Sequence, residues 1–203
     1  MSLVKRLAAL SATTLLLTAG AATGQAAAAP SRAGADSGAP AAVAAVDLER
    51  YLGSWYQVAA VPQLFELQCA RNVKATYTRT AAGTVGVRNT CTTWLNTISG
   101  VTGDARPLDA GNARLNVSFL RLGGTYLHTS RANYIVTGLD SDYRWAVVTD
   151  NDRRSGFVLS RTPSLTSGQR SAVLTAIKGA GLDPCRFHVT RQDDAAVATG
   201  SLC

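Results

Sequence analysis

Histidine is nearly absent from this 203-residue chain: His128 and His188 are the only two, and neither stands in a recognisable motif. A hydrolase needs a nucleophile, a base beside it and a third group that orients the base. No such constellation is present, so no catalytic residue is assigned and both histidines read as surface or edge residues. Cysteine is scarce too, and none of Cys69, Cys91, Cys185 and Cys203 lies in the C-x-x-C spacing of a zinc or redox site. Asp150, Asn151 and Asp152 resemble part of a calcium loop but lack its glycine and its distant bidentate glutamate, so they read as a charged hairpin turn. Neither a metal nor a cofactor is expected. Also missing is a basic stripe interleaved with aromatics, which argues against nucleic acid. The formal charge of +7 is dispersed over residues such as Arg71, Arg79, Arg114, Arg131 and Arg170. That is first of all a solubility charge, with an anionic lipid or membrane surface as the weaker reading.

Long apolar runs are also few. The run from Leu7 to Ala22, behind Lys5 and Arg6, is too short and too rich in small residues for a membrane span. Ala26 and Ala28 satisfy the small-x-small rule of export cleavage, so residues 1–28 read as a secretory signal peptide and the protein as secreted. No cysteine follows at once to carry a lipid anchor. Four cysteines in an oxidising compartment then imply two disulfides, with three possible connectivities. Residues 29–46 are mainly Ala, Gly, Ser and Pro, a composition that cannot bury enough apolar surface to offset the entropy of ordering, and they read as a flexible leader. Residues 47–192 form one domain, and 193–203 a tail tied by Cys203.

Within that domain the stretch from Asp47 to Glu66 sets the frame. Trp55, Gln57 and Ala59 alternate with Tyr56 and Val58 as a strand would, with Trp55 on the buried face. Gly53 gives the chain a tight entry, and the indole requires a partner from far along the sequence. Arg161 in FVLSRTP is the candidate, since a guanidinium stacks on an indole and donates to nearby carbonyls. Residues 72–91 read as a hairpin turning at Ala82 and Gly83; residues 96–107, 113–120, 132–139, 143–149 and 156–161 supply further strands. Eight half-apolar strands with short connections are the up-and-down pattern, which closes into an antiparallel β-barrel rather than leave its edges open. One helix follows in LTSGQRSAVLTAIKGAG, capped at Thr166 or Ser167 with Val173, Leu174 and Ile177 as its apolar stripe, and it should pack outside the barrel. CRFHVT adds a short ninth strand.

Three separated stretches, Gly53 to Tyr56, LDSDYRWAVV with Asp140 and Tyr143, and LSRTP with Arg161, together with Phe65–Glu66 and Ala75–Tyr77, make the chain resemble the lipocalin family in its bacterial and apolipoprotein D-like branch, as a secreted actinobacterial-type member. The resemblance implies a barrel closed at one end by Gly53, Trp55 and Arg161 and open at the other onto a pocket for a small hydrophobic molecule such as a fatty acid, lysophospholipid or isoprenoid. Apolipoprotein D-like relatives would join Cys69 to Cys203 and Cys91 to Cys185. Spacing favours Cys69 with Cys91 and Cys185 with Cys203, because the hairpin carries Cys91 back beside the start of its partner strand.

The inward phase nominates Tyr77, Val87, Asn89, Phe119, Tyr134 and Phe157 as ligand contacts, with Asn89 and Tyr77 supplying the polar ones. Two rivals to a binding and transport role remain. One is a lipocalin-fold enzyme acting on a small lipid by isomerase or epoxide chemistry; the other is an envelope module that binds protein through its loops around a barrel packed solid.

Overall fold

The structure is a computed structural model that describes residues 38–195 and 199–203; the expected signal peptide and the first half of the leader, residues 29–37, lie outside the described residues. A short helix, α1 (Leu48–Tyr51), is capped by the Asp47 carboxylate, which accepts from the amides of Glu49 and Arg50. Then come β1 (Gly53–Ala60), β2 (Cys69–Arg79), β3 (Val85–Thr93), β4 (Ile98–Pro107), β5 (Arg114–Ser118), a small hairpin of β6 (Arg121–Leu122) and β7 (Thr125–Tyr126), β8 (Tyr134–Leu139), β9 (Trp145–Thr149) and β10 (Gly156–Ser160). α2 (Ser167–Gly179) and β11 (His188–Val189) follow.

All strand pairs of the main sheet are antiparallel neighbours in the order β10-β9-β8-β5-β4-β3-β2-β1-β11, and β10 returns to pair with β1. Eight strands therefore close a barrel, and β6 with β7 stands apart as a sheet of its own. Thr166 caps α2 in a reciprocal box with Gln169. The helix buries Val173 and Ile177 against the outside of the barrel, beside Val58, Trp145, Val147 and Val158. Each such aliphatic side chain contributes roughly 1.5–3 kcal/mol relative to exposure.

Three expectations change. Gly38–Val46, assigned to the flexible leader, is bound to the domain: the amides of Val43 and Val46 donate to the carbonyls of Val136 and Gly111, and Arg114 and Arg153 hold the carbonyls of Pro40 and Gly38. Its small residues allow the backbone to lie so close that a Cβ on Gly111 would fall 2.5 Å from the Ala44 carbonyl oxygen. Ala59 does not share the face of Trp55. A register shift between Gln57 and Ala59 places Ala59 with Val58 in the outer cluster under α2. His128 is no surface residue: its side chain is 8% exposed, its Nε2 lies 2.9 Å from Asp104 Oδ1, and its Nδ1 meets Asn116. That network bolts the 119–133 loop to the outer face of β4 and β5. His188 is exposed, as expected of an edge residue.

The wall between β1 and β2 has a seam. β1 pairs with β2 only from Gly53 to Tyr56, after which β11 pairs with Ala59 and Ala60. The chain beyond β11 fills the gap: Thr190 donates to the Val58 carbonyl, Asn72 to that of Arg191, and the Gln192 amide to the carbonyls of both Gln57 and Val73. The short ninth strand and the residues after it thus seal the side of the barrel.

Candidate functional site

The two ends of the barrel differ. At one end Gly53, at a φ of 90°, turns the chain into β1 and leaves room for Arg161. The Arg161 guanidinium lies 3.8 Å from the centre of the fully buried Trp55 ring. Its nitrogens donate to Ser54 O at 2.9 Å, Arg50 O at 2.7 Å and Tyr143 O at 3.4 Å. The indole Nε1 donates to Tyr51 O at 2.8 Å. One cation thus ties α1, β1 and the turn between β8 and β9 across the floor, and the void beneath measures only about 20 Å³.

At the other end, under the connections 61–68, 94–97, 119–133 and 150–155, a cavity of about 690 Å³ opens to the outside. Tyr77, Val87, Asn89, Phe119, Tyr134 and Phe157 all line it. Alternation explains the grouping, since register places Tyr77 opposite Val87 and Asn89 opposite Ala75 and Val101. Gln57, Glu66, Val101, Val117 and Leu159 line it too and were not nominated. Gln57 could have been found from its phase with Trp55. Glu66 could not, because it comes from the 3-10 turn Leu64–Glu66 that folds over the mouth.

The polar groups of the wall have different environments. The Tyr134 hydroxyl stands between those of Tyr51, at 2.8 Å, and Tyr77, at 3.0 Å. Burial pushes the Tyr77 phenol up to about 12 and those of Tyr51 and Tyr134 well above their ordinary value, so all three stay neutral. Burial also raises the Glu66 carboxyl, partly offset by the Gln57 amide 3.4 Å away. The side-chain oxygen of Asn89 is buried and has no hydrogen-bond partner. An apolar chamber with a few convergent polar groups is the ordinary form of a small-molecule site. No histidine is among its walls.

Two disulfides are present. Cys69–Cys91, with Cα atoms 5.6 Å apart, joins β2 to β3 at the mouth of the cavity. Cys185–Cys203, at 4.8 Å, holds the end of the chain, where Leu202 is buried and its amide donates to Phe187 O.

An eight-stranded antiparallel barrel with one packed floor, one open mouth and an outer helix defines the class of the protein. The model of the lipocalin-like domain matches residues 46–192, and the chain belongs to the lipocalin family. It is 30% identical over 155 residues to temperature-induced lipocalin-1 of Arabidopsis thaliana, covering 75% of this chain and 82% of the relative. It is 31% identical over 151 residues to the outer membrane lipoprotein Blc of Escherichia coli K12, covering 72% and 79%. Among solved structures, insecticyanin of the tobacco hornworm Manduca sexta superposes with a TM-score of 0.58 at 16% identity, over 77% of this chain and 85% of that one. Lobster apocrustacyanin A1 does so with 0.54 at 19%, over 71% and 78%. At these identities the solved structures speak for the fold alone.

Proposed function

We propose that the protein is a secreted carrier or scavenger that holds one small hydrophobic molecule, with a single polar group, in the barrel cavity. The observation that carries this is the chamber of about 690 Å³ above a sealed floor, its walls mostly apolar and the buried side-chain oxygen of Asn89 left without a partner. A barrel that served only as a scaffold for protein-binding loops would be packed through, as this one is below Tyr77. Fatty acids, lysophospholipids and isoprenoids fit the lining: an acyl or prenyl chain against Val87, Val101, Val117, Phe157 and Leu159, and a hydroxyl or carbonyl at Asn89 or the Tyr77 hydroxyl. Burying apolar area at roughly 25 cal/mol per Å² supplies the affinity.

Export rests on residues 1–28 as a signal peptide, and assignment to a secreted actinobacterial-type branch on the family resemblance alone. N-terminal sequencing of protein recovered from the culture medium tests the first. For the ligand, the purified protein is extracted with organic solvent and the extract is identified by mass spectrometry. A lipid in near-stoichiometric amount supports the proposal. An empty extract, with no uptake of an added environment-sensitive fatty-acid probe, rejects it.

A further inference from the structure

The mouth of the cavity is crowned by apolar side chains where water-exposed turns ordinarily carry polar ones. Leu64 and Leu67 on the β1–β2 connection, Trp94 and Leu95 at the tip of the β3–β4 turn, and Leu120 and Leu122 on the 119–133 loop are between 65% and 85% exposed. The connections are neighbours: the Trp94 Nε1 donates to Leu67 O at 2.8 Å, which leaves the indole ring as an apolar blade over the rim. Phe65 and Phe119 are exposed and also line the cavity, so the apolar surface runs without a break from the outer tips into the chamber. Exposed hydrophobics scattered singly need no explanation, but a ring of them around one opening does.

The charges at this end leave basic groups unpaired outward: on the 150–155 turn, Asp150 is bound by the turn's own amides and the exposed Asp152 is paired with Arg131. Glu66, the one carboxylate on the 61–68 connection, is turned inward and hydrogen-bonded by Gln57. Arg121, stacked on Tyr126, and Arg154, on the 150–155 turn, have no carboxylate partner among the described residues. Apolar tips flanked by unpaired guanidinium groups match the layering of an anionic bilayer, whose acyl boundary lies just beneath its negative headgroups. Separate projecting turns around a hole do not offer the flat, continuous patch that a second protein would cover.

We infer that the open rim is a docking surface for anionic lipid bilayers, with the Trp94–Leu95 turn as its principal wedge and Arg121 and Arg154 as headgroup contacts. Docked in this way, the cavity mouth faces the acyl layer, and a ligand of the class proposed above passes between membrane and barrel without crossing water. The functional consequence rests on that proposal; the docking itself does not.

Full-length protein is floated with vesicles of phosphatidylcholine alone and of phosphatidylcholine mixed with phosphatidylglycerol, and the emission of Trp94 is quenched with lipids brominated along the acyl chain. Trp55 and Trp145 are buried, so Trp94 is the tryptophan that lipid can reach. The wild-type protein binds the anionic vesicles and is quenched by the shallow bromines. Trp94→Ser with Leu95→Ser weakens partitioning ~10-fold, with the thermal melt unchanged because both side chains are exposed. Arg121→Gln with Arg154→Gln abolishes the preference for anionic vesicles. Ala75→Trp, which blocks the cavity, still docks, so loss of ligand binding and loss of docking are separable. No partitioning, equal partitioning by the Trp94–Leu95 variant, or a concentration-dependent dimer that shields Trp94 from quenchers would each overturn the inference. An unchanged lipid preference in the arginine variant would overturn its anionic part.

Discussion

Arg161 lies over Trp55, its guanidinium carbon 3.8 Å from the ring centre, and the same guanidinium bridges the carbonyls of Ser54 and Arg50. Residues more than a hundred positions apart thereby close the floor of the barrel.

Removing the guanidinium uncovers the indole and leaves the carbonyls it satisfied without partners. Arg161→Ala should cost ~2–4 kcal/mol by denaturant unfolding. Arg161→Lys should recover only part of this, since a lysine keeps the charge and loses the planar fork. Little change in either variant would show that the stack does not hold the floor.

The three phenols give a second test. Tyr134 is the shared partner of Tyr51 and Tyr77, so Tyr134→Phe leaves two buried hydroxyls unpaired and should cost ~1–3 kcal/mol, whereas Tyr51→Phe removes only one bond. Equal losses in the two variants would argue against Tyr134 as the centre of the cluster.

Glu66 should make stability fall as pH rises. Burial raises its folded-state value above the ordinary 4.5, so between the two values the folded protein binds more protons than the unfolded chain. The penalty is absent well below 4.5, grows through the window and is complete above the raised value. Glu66→Gln should therefore be stabilised relative to wild type at neutral pH and equal to it in acid. Denaturant melts of both proteins across this range decide the matter; a variant less stable at neutral pH would show that the carboxylate is favoured where it stands.

Each disulfide closes a short loop, with sequence separations of 22 and 18. In the chain-entropy model each contributes about 3 kcal/mol. Cys69→Ser with Cys91→Ser should lower stability by about that amount, and non-reduced peptide mapping should recover Cys69 with Cys91. A Cys69-to-Cys203 peptide would contradict the pairing.

The parts of the fold legible in the sequence are those whose side chains carry their own instructions. Trp55 and Arg161 advertise a stacked pair, Thr166 or Ser167 a helix cap, and the inward phase of Tyr77, Val87 and Asn89 a shared wall. What escaped is held by backbone or by irregularity. Gly38–Val46 resembles a disordered leader because it is held through its own main-chain amides and carbonyls, to which composition is blind. Ala59 changes face at a bulge that alternation does not reveal. Gln192 seals the β1–β2 seam through carbonyls of Gln57 and Val73 that no spacing rule connects. The apolar pair Trp94–Leu95 drew no reading from the sequence; the structure places it at the tip of a turn whose Asn96 has positive φ, where polar residues are the ordinary choice.

The most direct test of the central claim is a titration of delipidated protein with a long-chain fatty acid, run beside Ala75→Trp, which places an indole in the chamber. The expected result is saturable binding of one molecule per barrel at about micromolar Kd, or ~8 kcal/mol, lost in the blocked variant while its melt stays cooperative. Absence of saturable binding by the wild type, or equal binding by the blocked variant, would contradict the assignment of the cavity as the ligand site.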